Sequence, residues 1–188
     1  MSIDSFSGEN FFLSNFYPVL VEMEGEVYPS VEHAFQAAKT LDVKKRAEIR
    51  AASRPGKAKQ FGRSLKLRQD WEEIKLDVMK NLLRQKFAPE TELSEWLLET
   101  TPAVLIEGNS WNDTYWGAVL VRRTTPWDDD AEVPCWEGKN YLGQLLMLIR
   151  EELIDSQRFE NQEPWIVLGP CIHGFNLDRE FCPHGCRI

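Results

Sequence analysis

The chain is short of cysteine and histidine and has no long apolar run, and each shortage removes a class of protein. No stretch approaches the roughly 20 apolar residues that cross a bilayer, so no membrane role is expected. The opening Met1-Ser-Ile-Asp-Ser5 lacks the charged and apolar segments of an export signal, so the expected location is the cytoplasm. Basic residues are outnumbered, 22 Lys and Arg against 30 Asp and Glu, leaving a net charge of −8. A surface that coats nucleic acid needs clustered cations, so that class is excluded, although one anion pocket or a site for a nucleic-acid end is not. No Gly-rich phosphate loop or dinucleotide fingerprint occurs. Of four cysteines, Cys135 stands alone, while Cys171, Cys182 and Cys186 fall in the last eighteen residues.

What is present is enough for one core. A hydrophobic content of 43% with seven Trp in 188 residues suits a single domain with a short appendage. Residues 17–28 alternate around Glu24-Gly25, a hairpin signal. Ser30 is a good N-cap for a first helix. Further helices are expected over about Val43 to Ala52, Lys57 to Gly62, Asp70 to Phe87, from Pro89 onward, and Asn140 to Ile154. Val104 to Glu107 reads as a strand. Residues 120–137, with Asp128-Asp129-Asp130 and two Pro, read as loop, and Gln157 to Glu163 as a polar linker. The fold class expected is α+β, helix-rich, with a small β-hairpin or sheet. The expected division is 1–156 for the main domain and 157–188 for a Cys/His-rich extension.

Chemistry concentrates in two places. On the first helix, Glu32, Gln36 and Lys39 stand at i, i+4 and i+7, which puts a carboxylate, an amide and an amine on one face. Glu32 and Lys39 are too far apart in sequence for a simple helical ion pair, so the stripe reads as a cleft wall or a solvated edge. The second place is the turn after the strand, Gly108-Asn-Ser-Trp-Asn-Asp113, followed by Tyr115-Trp116-Gly117. Asn112 and Asp113 could simply form an Asx-turn. With Trp111, Tyr115 and Trp116 beside them, they could equally stack on a planar base and bond its edge. A basic run from Lys44 to Arg68 is either a solvated helical face or a phosphate funnel.

Six ordered blocks resemble the NADAR (YbiA-like) family: Asn10-Phe-Phe-Leu-Ser-Asn-Phe-Tyr17, Pro29-Ser-Val-Glu-His-Ala-Phe-Gln-Ala-Ala-Lys39, Gly62-Arg63, Asp70-Trp71, Asn112-Asp-Thr-Tyr-Trp-Gly117 and Gly138-Lys-Asn-Tyr-Leu-Gly143. The resemblance spans about residues 6–153. It implies an N-glycosidase that opens the C1–N bond of amino-linked ribosides and needs no cofactor for catalysis. Two substrate groups come with it: ADP-ribose on guanine in nucleic acid, and phosphorylated ribosylamino-pyrimidines of riboflavin biosynthesis. A non-catalytic module that binds ADP-ribose or a related nucleotide is the alternative of another class.

In the enzyme reading, Glu32, Lys39 and Asp113 are the catalytic candidates. Lys39 would attack an imine as nucleophile with Glu32 as proton shuttle, or a carboxylate would activate water directly. Asp113 would position the leaving base or the ribose hydroxyls. Asn15, Phe16, Gln36, Arg63, Trp71, Asn112, Trp116, Lys139 and Asn140 are the candidates for substrate binding, with Arg63 and Lys139 for phosphate. His33 lies about 100° around the helix from Glu32 and is given a structural role. Between Gly117 and Gly138 the chain carries about twenty residues where many relatives carry a short Gly-rich loop. In the tail, Cys171, His173, Cys182 and Cys186 make a tetrahedral zinc set, with His184 as substitute; reduced thiols or a disulfide are the other readings.

Overall fold

The computed structural model describes residues 1–125 and 128–160, with side chains throughout except at 124–132 and beyond 158. The chain divides into two units, Met1–Ile154 and Asp155–Ile188. The first is treated below; of the second, only the end of the last helix falls among the described residues.

The expected hairpin is present. Strand β2 (Val21–Met23) pairs antiparallel with β3 (Glu26–Tyr28), with Val21 opposite Tyr28 and Met23 opposite Glu26. Glu24 and Gly25 take φ of 51° and 81°, the left-handed pair that a two-residue turn between twisted strands demands. Helix α1 (Val31–Ala38) follows, with Ser30 as N-cap accepting from the His33 amide. Every residue of α1 is buried. His33 is neutral and structural: its Nε2 bonds the Ala52 carbonyl at 3.1 Å, its Nδ1 bonds Ser30 Oγ at 2.8 Å, and burial pushes its pKa down.

Three helices enclose α1. They are α2 (Val43–Arg50), capped by Asp42, α3 (Pro55–Arg63), with Pro in its first turn, and the long α4 (Trp71–Lys86). Helix α5 (Glu92–Glu99) starts later than Pro89 suggested. Thr91 Oγ1 accepts from the Ser94 amide and Ser94 Oγ accepts from the Thr91 amide, so a capping box fixes the start instead. The last helix, α6 (Tyr141–Glu160), buries Leu142, Leu146, Ile149 and Leu153. It runs through Gln157–Glu160, where a linker was expected.

Two pairings were not legible from local sequence. Strand β4 (Val104–Leu105) has a parallel partner in β1 (Ser2–Ile3), about a hundred residues away. Within residues 120–137, expected as loop, two strands pair antiparallel, β5 (Val119–Thr125) with β6 (Asp128–Glu137). The acidic run and the prolines suggested an irregular segment. In a two-stranded ribbon both strands are edges, so Pro134, opposite Arg122, can sit where no N–H is needed. The β-branched Val119, Val121, Thr124 and Thr125 were the better guide. The architecture is α+β, with three small two-stranded sheets among the described residues.

Candidate active site

One cavity of about 700 Å³ opens between α1, α3, the N-terminal loop and the turn that follows β4. Its wall includes Asn15, Phe16, Glu32, Gln36, Lys39, Arg63, Asn112, Asp113 and Trp116, nine of the residues singled out in the sequence. The amphipathic stripe of α1 therefore faces a cleft. Glu32 and Gln36 are almost wholly buried, 5% and 4% exposed, and yet they face this space.

Glu32 is held from both ends. Its backbone amide donates to the Asn15 carbonyl at 3.0 Å, and the Gln36 side-chain amide donates to its Oε1 at 2.8 Å. Gln36 in turn depends on Gly62 of α3, where a Cβ would collide with the Gln36 side-chain oxygen. Only a glycine lets the two helices approach this closely. Burial pushes the Glu32 pKa up; Lys59, the Gln36 hydrogen bond, Lys39 and Arg63 oppose it.

Lys39 is the C-cap of α1. Burial pushes its pKa down, the Glu32 charge works against that, and the like charges of Lys59 and Arg63 add to it. Its Nζ lies 5.5 Å from the Phe35 ring centroid and 6.0 Å from that of Trp71. Phe35 stands between Trp71 at 5.1 Å and Trp116 at 5.2 Å, so an aromatic row backs the amine.

The turn after β4 is built around Asn109. Its Oδ1 accepts from the Asp113 amide at 2.9 Å and its Nδ2 donates to the Asp113 carbonyl at 2.8 Å. Asp113 Oδ1 accepts from the amides of Tyr115 and Trp116 at 3.1 and 2.9 Å. Asp113 therefore makes the Asx-type turn and lines the cavity as well, so the two readings of this segment are compatible.

Three expected site residues are not in the wall. Trp71, 5% exposed, is a core residue packed behind Phe35 and Lys39. Lys139 is exposed, with its Nζ over the rings of Tyr115 and Tyr141 at 5.4 and 5.6 Å. Asn140 is a clamp: its Oδ1 accepts from the Glu107 amide at 2.9 Å and its Nδ2 donates to the Leu105 carbonyl at 2.9 Å. Each had been assigned through a motif shared with the family, and such motifs contain framework residues as well as contacts. The proposed metal set, Cys171, His173, Cys182 and Cys186, lies outside the described residues, as does its substitute His184.

The sequence reading did not assign Glu107, Lys59 or Asn109 to the site. Glu107 enters the wall from the end of β4, and its Oε2 is buried without a hydrogen-bond partner. A carboxylate ending a short buried strand, directly before a Gly-Asn turn, was the available signal. Lys59 had been counted only within the basic run, although it shares the cavity-facing side of α3 with Arg63, four residues on.

The NADAR domain family matches residues 5–154. The chain belongs to the NADAR family. N-glycosidase YbiA of Escherichia coli (strain K12) is 43% identical over 142 residues, covering 74% of this chain and 79% of that protein. An N-glycosidase of Nostoc punctiforme is 32% identical over 145 residues, covering 74% and 83%. A riboflavin biosynthesis protein of Vibrio vulnificus is 35% identical over 144 residues, which are 76% of this chain and 35% of that longer protein. The NMR structure of E. coli YbiA superposes with a TM-score of 0.65 at 38% identity, covering 87% of this chain and 89% of that one. As a NADAR protein whose relatives are named N-glycosidases, the chain is an N-glycosyl hydrolase. Among the described residues, no helix is long and apolar enough to cross a membrane.

Proposed function

We propose that this enzyme removes ADP-ribose from guanine in nucleic acid, cleaving the bond between C1 of the ribose and the exocyclic nitrogen with water as co-substrate and no cofactor. The observation that carries the chemistry is the convergence of Glu32 and Lys39 on one cavity, both desolvated and with pKa values moved towards neutrality. A buried amine of lowered pKa is a nucleophile. In this reading the ribosylamine ring opens to an imine. The Lys39 amine adds at C1, and the base leaves with the electron pair of its C–N bond. Water then frees the sugar from Lys39, with Glu32 as proton shuttle for that water.

Two features favour a nucleotide of this size on a strand. Arg63 and Lys59 lie along one wall, where diphosphate charge would be compensated. Trp111, 60% exposed at the rim, offers an open face on which a neighbouring base can stack. A free nucleic-acid end or a single modified base fits the net negative charge of the chain better than extended duplex does.

The second reading is hydrolysis of phosphorylated ribosylamino-pyrimidines. It is favoured by relatives named riboflavin biosynthesis proteins in Vibrio vulnificus and Zea mays. The test is comparative turnover by the full chain of an ADP-ribosyl-guanine oligonucleotide and a ribosylamino-pyrimidine phosphate. Release of free ADP-ribose at the higher kcat/KM supports the first reading. Preference for the pyrimidine overturns it in favour of the second, and turnover of neither rejects both.

A further inference from the structure

Departure of a base from C1 requires more than a nucleophile. The nitrogen takes the electron pair of the breaking bond and must gain a proton, or an amide-like anion would have to leave. Glu32 is already engaged: Gln36 donates to its Oε1 at 2.8 Å, while burial raises its pKa against the opposing pull of Lys59, Gln36, Lys39 and Arg63.

Glu107 has no such partner. It enters the same cavity from the end of β4, on the wall supplied by Asn109 and Asp113 rather than the wall supplied by α1. Its position is fixed through the main chain. The Asn140 side chain takes its amide proton at 2.9 Å, and its carbonyl accepts from the Ala118 amide at 3.0 Å. Its Oε2 is buried and has no partner within the protein. An unpaired buried oxygen facing a cavity is unfavourable, and a ligand group that accepts or donates there relieves the cost. Around it stand Lys59 of α3, Asp113 of the turn, Glu32 of α1 and Lys86 of α4. Burial raises its pKa most and Lys59 opposes this; Asp113 and Glu32 then add to the rise and Lys86 resists it, for a value of about 7. Two carboxyls thus share one cavity, both with pKa raised by burial, and differ in their bonding: Glu32 is engaged by Gln36, whereas Glu107 keeps a buried oxygen without a partner for the ligand to meet.

We propose that Glu107 is the acid of this site, giving its proton to the nitrogen that leaves C1. The C1–N bond breaks with its electron pair going to nitrogen, and the carboxyl proton of Glu107 completes the N–H of the departing amine. Water supplies the oxygen that ends on C1, and Glu32 receives the proton this water releases. Exchange with solvent returns both carboxyls to their starting states. The assignment rests on the N-glycosidase reading, and it holds for either substrate group because both leave as an amine.

The experiment compares wild type, Glu107→Gln and Glu107→Asp of the full chain on whichever of the two substrates turns over. General acids contribute roughly 100-fold to 10,000-fold. Glu107→Gln is therefore expected to lose at least about 100-fold in kcat with KM changed less than about threefold. The fall of wild-type kcat above about pH 7 should vanish in Glu107→Gln and survive in Glu107→Asp. A second readout needs no turnover: 13C NMR of Glu-labelled protein should show a carboxyl titrating near pH 7 that Glu107→Gln removes. An alkaline limb unchanged in Glu107→Gln, a kcat within about fivefold of wild type, or no such carboxyl signal overturns the proposal. If wild type turns over neither substrate while the signal is present, the substrate assignments fail and the proton-bearing Glu107 stands.

Discussion

Glu32 of α1 reaches Gly62 of α3 through a single side chain: Gln36 donates to the carboxyl of Glu32 at one end, and its carbonyl occupies the space left by the missing Cβ of Gly62. The Glu32 carboxyl is thus oriented by Gln36, whose own place depends on Gly62, a residue outside the cavity wall. Gly62→Ala should push Gln36 aside and misplace Glu32. A displacement of about 1 Å can cost on the order of 100-fold in rate, and overpacking costs about 1–3 kcal/mol. Parallel kcat and urea-unfolding measurements check this; a variant with wild-type turnover would show that Gln36 does not position Glu32.

Lys39 gives a direct chemical assay. Borohydride added during turnover should trap sugar on Lys39 in wild type and leave none on Lys39→Arg, read by intact mass and peptide mapping. Arg keeps the charge but cannot form an imine, so loss of the adduct separates chemistry from electrostatics. A wild-type enzyme that turns over without any trapped product would reassign the site to direct attack by water.

Lys86 gives a stability signature. It is 1% exposed, its Nζ donates to the Ser14 carbonyl at 2.7 Å, and burial pulls its pKa from 10.5 to about 7. Between these values the folded chain binds fewer protons at this position than the unfolded chain, so stability should rise with pH from about 7 to about 10. Below about 7 the penalty for the buried ammonium is complete. The rise is of the order of a few kcal/mol. Lys86→Met should flatten it, as seen by urea denaturation at both ends of the window. An identical pH profile in the variant would mean that Lys86 is not the titrating group.

Two tryptophans should separate stability from binding. Trp71→Ala removes a core ring packed on Phe35 and should cost about 3–5 kcal/mol. Trp111→Ala removes an exposed rim residue and should change stability by no more than about 0.5 kcal/mol. Its effect should appear as a higher KM on the oligonucleotide substrate. Thermal melts and Michaelis kinetics distinguish the two. Unchanged KM in Trp111→Ala would remove the stacking role.

The sequence showed α1 and its polar face clearly, because Ser30, the apolar positions and the spacing of Glu32, Gln36 and Lys39 are all local. The Glu24-Gly25 turn was legible for the same reason. The pairing of β1 with β4 was not, since two-residue strands carry no periodicity and their partners are remote. The start of α5 was misread because Pro89 is a weaker determinant than the reciprocal Thr91 and Ser94 bonds. Glu107 escaped notice because its significance arises only when β4, α6 and the Asn109 turn come together. Trp71 and Asn140 were named for the substrate through motifs shared with the family, and such motifs do not separate a contact from its support.

Among the described residues, the β5–β6 ribbon supplies none of the buried core, yet Trp136 on it packs over Gly108, a residue of the cavity wall. Frame and gatepost are therefore separable. Length and composition of that ribbon can change at little thermodynamic cost, and each change can redraw the outline a ligand must match without disturbing Glu32, Lys39 or Glu107.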